Sequence, residues 1–243
     1  MSLKDKPTEE WINSLRSRYP VEREVDRVLV RKLKNRPGST YRPQNLESLI
    51  EGVDALITSC HNGAFAIKDA FWLTGGASKL QMAFTLSWCP DGNNLVDTRM
   101  VLRMEPAASV CETSRLREHE ILGVFDGIVP VPKPYWVDEL GDFLPYPALI
   151  YEFSLGVTKP AYTVSNVTGL GTNLGPELRE RLAPQFVEQL ALIHNHDIND
   201  SRLVSFDIPD EPKTASLWTL NWWQRVWEED CGQDIPLMSL ASS

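Results

Sequence analysis

Leu80, Met82, Phe84, Leu86 and Trp88 alternate with Gln81, Ala83, Thr85 and Ser87. A period of two over nine residues predicts a strand with one buried face. Pro90-Asp91-Gly92-Asn93-Asn94 follows as turn chemistry, and residues 100–104 predict a second strand that carries Arg103. Upstream, the apolar and aromatic run over residues 64–72 predicts a strand that breaks into Gly75-Gly76. Downstream, residues 135–137 and 148–153 predict two more, joined across residues 138–147. Helical periodicity occupies the remainder. Thr8, followed by Glu9, Glu10 and Trp11, is placed to cap a first helix. Pro20 suits the first turn of a second, with a stripe of Val25, Val28, Leu29 and Leu33, and Pro37-Gly38-Ser39 stops it. A third helix runs from Asn45 with Leu46, Leu49, Ile50, Val53 and Leu56 on one side. Residues 111–125 predict a fourth. Pro184 opens a fifth in which Val187, Leu190, Ala191 and His194 share a face. Residues 216–230 predict a helix whose Trp218, Trp222, Trp223 and Trp227 have core spacing, with cation–π capture of an amine as the sharper alternative.

The fourth helix contains Glu118. Ile121, Leu122 and Phe125 stand three, four and seven residues beyond it, which puts the carboxylate on the apolar face. A buried carboxylate without a partner is costly, so the pattern asks for a basic mate. Arg103, on the preceding strand and on the face opposite Met100, Leu102 and Met104, is the nearest. Taken alone it would be a surface arginine at a strand end; the independent need of Glu118 favours a pair. Glu112 and Glu120 are expected to be solvated. Gly75-Gly76-Ala77-Ser78 is a tight turn that also lets backbone N–H groups approach a phosphate, with Ser78 adding a hydroxyl.

A glycine loop, a strand with a basic residue and a helix with an inward Glu form the order of parts in a kinase small lobe. The sequence resembles the aminoglycoside phosphotransferase and choline kinase-like family. The resemblance rests on Leu73-Thr74-Gly75-Gly76-Ala77-Ser78, Val101-Leu102-Arg103, Arg117-Glu118, Val129-Pro130-Val131-Pro132 and Leu149-Ile150-Tyr151-Glu152-Phe153. It covers about residues 64–194 and weakens beyond them. It implies an α+β, protein-kinase-like fold of two lobes: a complete small lobe of antiparallel sheet plus helix, and an incomplete helical large lobe. The corresponding division is a helical extension over 1–62, the small lobe and hinge over 63–153, and part of the large lobe over 154–243. It also implies ATP or GTP bound by Gly75, Gly76, Ala77, Ser78 and Arg103, with Glu118 holding Arg103. The backbone of Glu152 and Phe153 would meet the adenine edge as the inter-lobe hinge. The partner substrate would be a small molecule with a hydroxyl, and the complete family enzyme uses Mg. Many relatives carry Asn after the loop serine; this chain has Lys79.

Other features narrow the reading. A net charge of -9 and a pI near 5.0 argue against a general nucleic-acid binder. Cys60, Cys89, Cys111 and Cys231 lie far apart, which implies neither a zinc site nor a disulfide framework. No apolar run approaches the roughly 20 residues of a membrane span, and the charged N-terminus has no signal-peptide core, so a cytoplasmic location is expected. Gly169 to Gly175 has the wrong spacing for a dinucleotide fingerprint and is read as a loop. His194 is expected to be a packed, hydrogen-bonded histidine. The family's catalytic loop is His-Gly-Asp, then Asn, then a second Asp for magnesium. After His194 the chain offers His196-Asp197 and Asn199, without the intervening residue or the Asp-to-Asn spacing. No catalytic or metal-holding residue is therefore assigned, and the chain is expected to be a fragment of a longer kinase, inactive by itself. Two alternatives stand beside it: a non-catalytic, pseudokinase-like nucleotide-binding module, and a structural interaction module in which Gly75-Gly76 is only a turn.

Overall fold

The computed structural model describes residues 3–38, 43–73, 79–106, 113–156 and 174–231. Three helices come first. Thr8 accepts from the Trp11 N–H at 3.2 Å and so caps α1, Glu9–Arg18. The second, α2, is Arg23–Asn35. Pro20 precedes it by three residues rather than sitting in its first turn. The Asn45 side chain accepts from the Ser48 N–H at 2.8 Å and caps α3, Leu46–Cys60.

Five antiparallel strands follow: β1 Phe65–Trp72, β2 Leu80–Trp88, β3 Val96–Met104, β4 Pro134–Asp138 and β5 Ala148–Glu152. Their order across the sheet is β1-β2-β3-β5-β4. The predicted second strand is longer than its apolar part, because the mostly polar residues from Val96 to Arg99 continue the pairing with β2 as far as Trp88. β1 carries an irregularity between Lys68 and Phe71, with Asp69 at φ 51°, a left-handed conformation that Asp tolerates better than most residues.

The period-two pattern has its expected consequence on one face of the sheet. Met82, Phe84, Leu86, Met100, Leu102, Met104 and Ile150 pack with Leu49, Val53, Leu56 and Ile57 of α3 into a single buried cluster. Gly52 lets α3 approach closely, since a Cβ there would meet Leu144 Cδ2 and the Phe143 carbonyl oxygen, both at 2.8 Å. The loop after β4 is fixed by Asp138, whose carboxylate accepts N–H bonds from Gly141, Asp142, Phe143 and Leu144 at 2.8–3.0 Å.

The opposite face takes α4, Arg115–Phe125, capped by the Ser114 hydroxyl, which accepts from the Arg117 N–H at 3.2 Å. Residues 107–112, where the sequence places the start of this helix, lie outside the described residues. Two long helices complete the described chain, α5 Gly175–His194 and α6 Pro212–Asp230.

Both depart from expectation. Pro184 lies inside α5 and does not begin it, and α5 buries no residue. Val187 is 64% and Leu190 43% exposed. His194 is exposed as well, so it is not the packed histidine its helix face suggests. In α6 the buried side chains are Arg225 and Glu229, while Trp223 is 56% exposed. Trp218, Trp222 and Trp227 are half-buried, and the fully buried positions go to Glu229 and to Arg225, which pairs with Asp26 of α2. Among the described residues no helix is long and apolar enough to cross a membrane.

Candidate nucleotide site

Arg103 and Glu118 meet. The Arg103 Nε lies 3.3 Å from Glu118 Oε1, out of hydrogen-bond alignment, so the contact is electrostatic. Across the β3–β5 register Arg103 is diagonal to Tyr151, whose hydroxyl it hydrogen-bonds. The reason for the pairing differs from the one the helix pattern gives. Ile121 is 39% exposed, and Glu118 itself keeps about a quarter of its side chain open. What holds the carboxylate is a second arginine, because Arg115 Nη1 pairs with Glu118 Oε2.

Arg115 belongs to a chain of alternating charge that the sequence reading did not find. Its Nη2 lies 3.3 Å from Glu105 Oε2, and Lys79 pairs with the other oxygen of Glu105. Thr113 adds a hydroxyl at 3.4 Å. The order is Lys79, Glu105, Arg115, Glu118, Arg103: three cations separated by two carboxylates. The middle is the most buried, with the side chains of Glu105 and Arg115 each 1% exposed. Burial pushes the Arg115 guanidinium below its ordinary pKa, against the opposing pull of Glu118 and Glu105. One available signal was the position of Glu105, a carboxylate directly after the buried strand end at Met104. Another was Lys79, the residue at which this chain departs from the family pattern.

Gly75, Gly76, Ala77 and Ser78 lie outside the described residues. Their flanks are placed: Leu73 donates its N–H to the Gln81 carbonyl at 3.0 Å, and Lys79 anchors on Glu105. The stretch therefore joins β1 to β2, and its exit is tied to the charge chain.

At the expected hinge the backbone N–H groups have partners within the protein. The Glu152 N–H donates to the Lys133 carbonyl at 2.8 Å and the Phe153 N–H to the Arg99 carbonyl at 2.9 Å. Both donors that would read an adenine edge are engaged, because β5 is an interior strand with a neighbour on each side. The Arg99 guanidinium also covers the Phe153 ring at 4.3 Å. Glu120 is not simply solvated either. It accepts from the Ser205 N–H at 3.1 Å and from its hydroxyl at 2.5 Å, which fixes the 203–207 segment against α4. Glu112 lies outside the described residues.

His196, Asp197 and Asn199 form a local turn. The Asp197 carboxylate accepts from the Asn199 N–H at 2.9 Å, and the His196 ring lies 3.0 Å from Asp200. Among the described residues no group of three or more His, Cys, Asp or Glu side chains is placed to hold a metal ion.

Beside the Arg103–Glu118 pair opens a cavity of about 420 Å³. Its walls come from α2, α4, Phe206 and Trp222 of α6. A neighbouring cavity of about 310 Å³ shares Ile121 and Phe206 with it and is closed by Ile193, His196 and Ile208.

The sheet order, the β3 cation and the α4 carboxylate can be set beside known sequences. The pattern of the phosphotransferase enzyme family, APH, matches residues 91–236, well over half of the chain. The chain belongs to the phosphotransferase enzyme family. The matched span holds Arg103, Glu105, Arg115 and Glu118, and starts after the 75–78 stretch and Lys79. An APH-family chain is expected to carry a kinase-like α+β fold and phosphotransferase-type activity, and the sheet with its α4 helix is that kind of fold. No curated protein and no solved structure matches the chain.

Proposed function

We propose that this phosphotransferase-family chain contributes the nucleotide-positioning half of a small-molecule kinase, which moves the terminal phosphoryl group of ATP or GTP to a hydroxyl. The observation that carries the proposal is the Arg103–Glu118 pair between β3 and α4, with Arg115 behind it. In such chemistry positioning and charge neutralisation do most of the work. Arg103 would hold phosphate oxygens through its planar fork. Glu118 and Tyr151 fix the direction of that fork, and Arg115 keeps Glu118 in place. Lys79, through Glu105, would set the exit of the 75–78 loop relative to Arg103. A bound nucleotide with magnesium would supply the phosphoryl group and the bridge between its terminal phosphates.

We further infer that the 243-residue chain does not turn over by itself. His196, Asp197 and Asn199 lack the family spacing and are engaged in their own turn, so a His196→Ala/Asp197→Ala double variant should change nothing catalytic. A purely structural interaction module is the second reading, and the engaged Glu152 and Phe153 N–H groups favour it. Titration calorimetry with ATP and GTP tests both. The expected result is weak binding, little altered by magnesium, and lost in Arg103→Met but partly kept in Arg103→Lys. Binding unaffected by Arg103→Met overturns the site. Phosphoryl transfer that is lost on mutating Asp197 overturns the inactive reading.

A further inference from the structure

The cavity beside the Arg103–Glu118 pair has a chemistry of its own. Its body is apolar, with Val25 and Val28 of α2 facing Ile121 of α4, and Trp222 as an aromatic wall. Its polar groups are unevenly satisfied. The Glu24 carboxylate is taken by Arg27 at 2.7 and 2.8 Å and by the Ser114 hydroxyl. Burial pushes its pKa up, but those hydrogen bonds and the charges of Arg27 and Arg117 outweigh this, so the group lies below the ordinary carboxylate value. Both oxygens of Glu118 face an arginine. On the cationic side the balance is reversed. Arg103, Arg115 and Arg117 all line the cavity. Each guanidinium is ion-paired, Arg103 to Glu118, Arg115 to Glu105 and Glu118, and Arg117 to Glu22, but the Nε of each is buried without a hydrogen-bond partner. Donors are in surplus and the carboxylate acceptors are committed. Such a wall favours a ligand that brings acceptors and negative charge, since buried donors left unmatched cost free energy. Among the described lining residues an amine would find no free carboxylate and three guanidinium groups.

We propose that this cavity binds a small amphipathic organic anion: an aromatic or aliphatic body in the slot between α2, α4 and Trp222, with one carboxylate held in the field of the three arginines. A volume of about 420 Å³ suits a ligand of that size, and an apolar lining with a few convergent polar groups is what such sites require. Arg103, with 30% of its side chain exposed, is the most open of the three; Arg115 and Arg117 act from behind. The inference deepens the proposed function by naming the second ligand of the same site, and it rests on that reading for what the anion does there, not for its binding.

The test is titration calorimetry on the full chain with 4-phenylbutyrate and with 4-phenylbutylamine, which share a body and differ in the charge of the head. The carboxylate should bind at least tenfold more tightly than the amine. Val25→Trp, which fills the slot, should weaken the carboxylate at least tenfold while leaving ATP binding unchanged. Trp222→Ala, which removes a wall, should weaken it as well, and decides the matter if Val25→Trp melts early. Equal binding of the two probes overturns the proposal. So does binding indifferent to both variants, which would put the probe on the exposed face of α5 or elsewhere. Loss of ATP together with the carboxylate in a folded Val25→Trp would make the cavity the nucleotide's own pocket, again overturning it. Carboxylate binding without any ATP binding in the unaltered chain would sink the proposed function and leave this inference standing.

Discussion

At the scale of single residues the centre of the site is Arg115. It stands between Glu105 and Glu118 with 1% of its side chain exposed, and its removal would leave two carboxylates facing each other across a dry gap. Breaking a buried pair by deleting one partner typically costs about 3–5 kcal/mol. Arg115→Met should therefore lower the urea midpoint more than Arg103→Met, since Arg103 keeps 30% of its side chain exposed against 1% for Arg115, and pairs that reach water contribute about 1 kcal/mol or less. Adding Glu105→Gln to Arg115→Met should recover part of the loss, because it removes one of the stranded charges. A double variant no more stable than Arg115→Met would mean that Glu105 is compensated by Lys79 alone. Much of this was legible in the sequence. Arg103 and Glu118 announced themselves by position, one on a polar strand face and one on a helix stripe. Arg115 did not: an arginine at the first residue of a helix reads as solvated, and only the fold turns it inward under the sheet.

At the scale of elements, local signals were sufficient wherever a segment packs on the sheet. The caps at Thr8 and Asn45 and the alternation over Leu80–Trp88 all have the structure their chemistry dictates. They failed where an apolar stripe has no described partner. The face of α5 was read as buried, yet α5 buries no residue, because periodicity says which side would pack and not what it packs against. Pro184 misled for a related reason. A proline usually marks a first turn, whereas here it sits ten residues into a helix that has already begun. Two substitutions test the well-packed part. Asn45→Ala removes the acceptor for the Ser48 N–H and should cost about 1 kcal/mol. Gly52→Ala introduces a Cβ at 2.8 Å from both Leu144 and the Phe143 carbonyl oxygen, and overpacking of that kind costs about 1–3 kcal/mol. Chemical denaturation should rank Gly52→Ala as the more damaging; the reverse order would mean that the 138–147 loop yields freely.

At the scale of the whole molecule, the first and last described segments are joined by charge. Arg225 of α6, fully buried, donates to Asp26 of α2 at 2.6 Å, while Lys32 and Arg36 both reach Asp230 at 2.5 Å. Arg36 also donates to the Glu229 carbonyl at 2.7 Å. Glu229 is the poorly served member. Its Oε1 is 3.4 Å from Arg225 Nε, and its Oε2 is buried with no hydrogen bond. Burial raises its pKa from 4.5 to about 7, against the opposing charges of Arg225 and Lys32. The sign of the consequence follows from proton binding. Between pH 4.5 and 7 the folded chain holds a proton on Glu229 that the unfolded chain has released. Stability contributed by this group is therefore present at acid pH and lost as pH rises through that window, by on the order of 3 kcal/mol at about 1.4 kcal/mol per unit. Glu229→Gln should be nearly neutral at pH 5 and stabilising at pH 8, where it spares the fold an ionised group in a dry site. Asp26→Asn acts on the same junction from the other side. It frees the Arg225 guanidinium to turn toward Glu229, which should draw that carboxyl back toward its ordinary value and flatten the pH dependence. It should also destabilise at both pH values by weakening the tie between α2 and α6. Urea unfolding of the parent and both variants at pH 5 and pH 8 measures each effect. A Gln variant that tracks the parent at both pH values would show that Glu229 is ionised throughout and that the junction is held by three charges on each side, not by one proton.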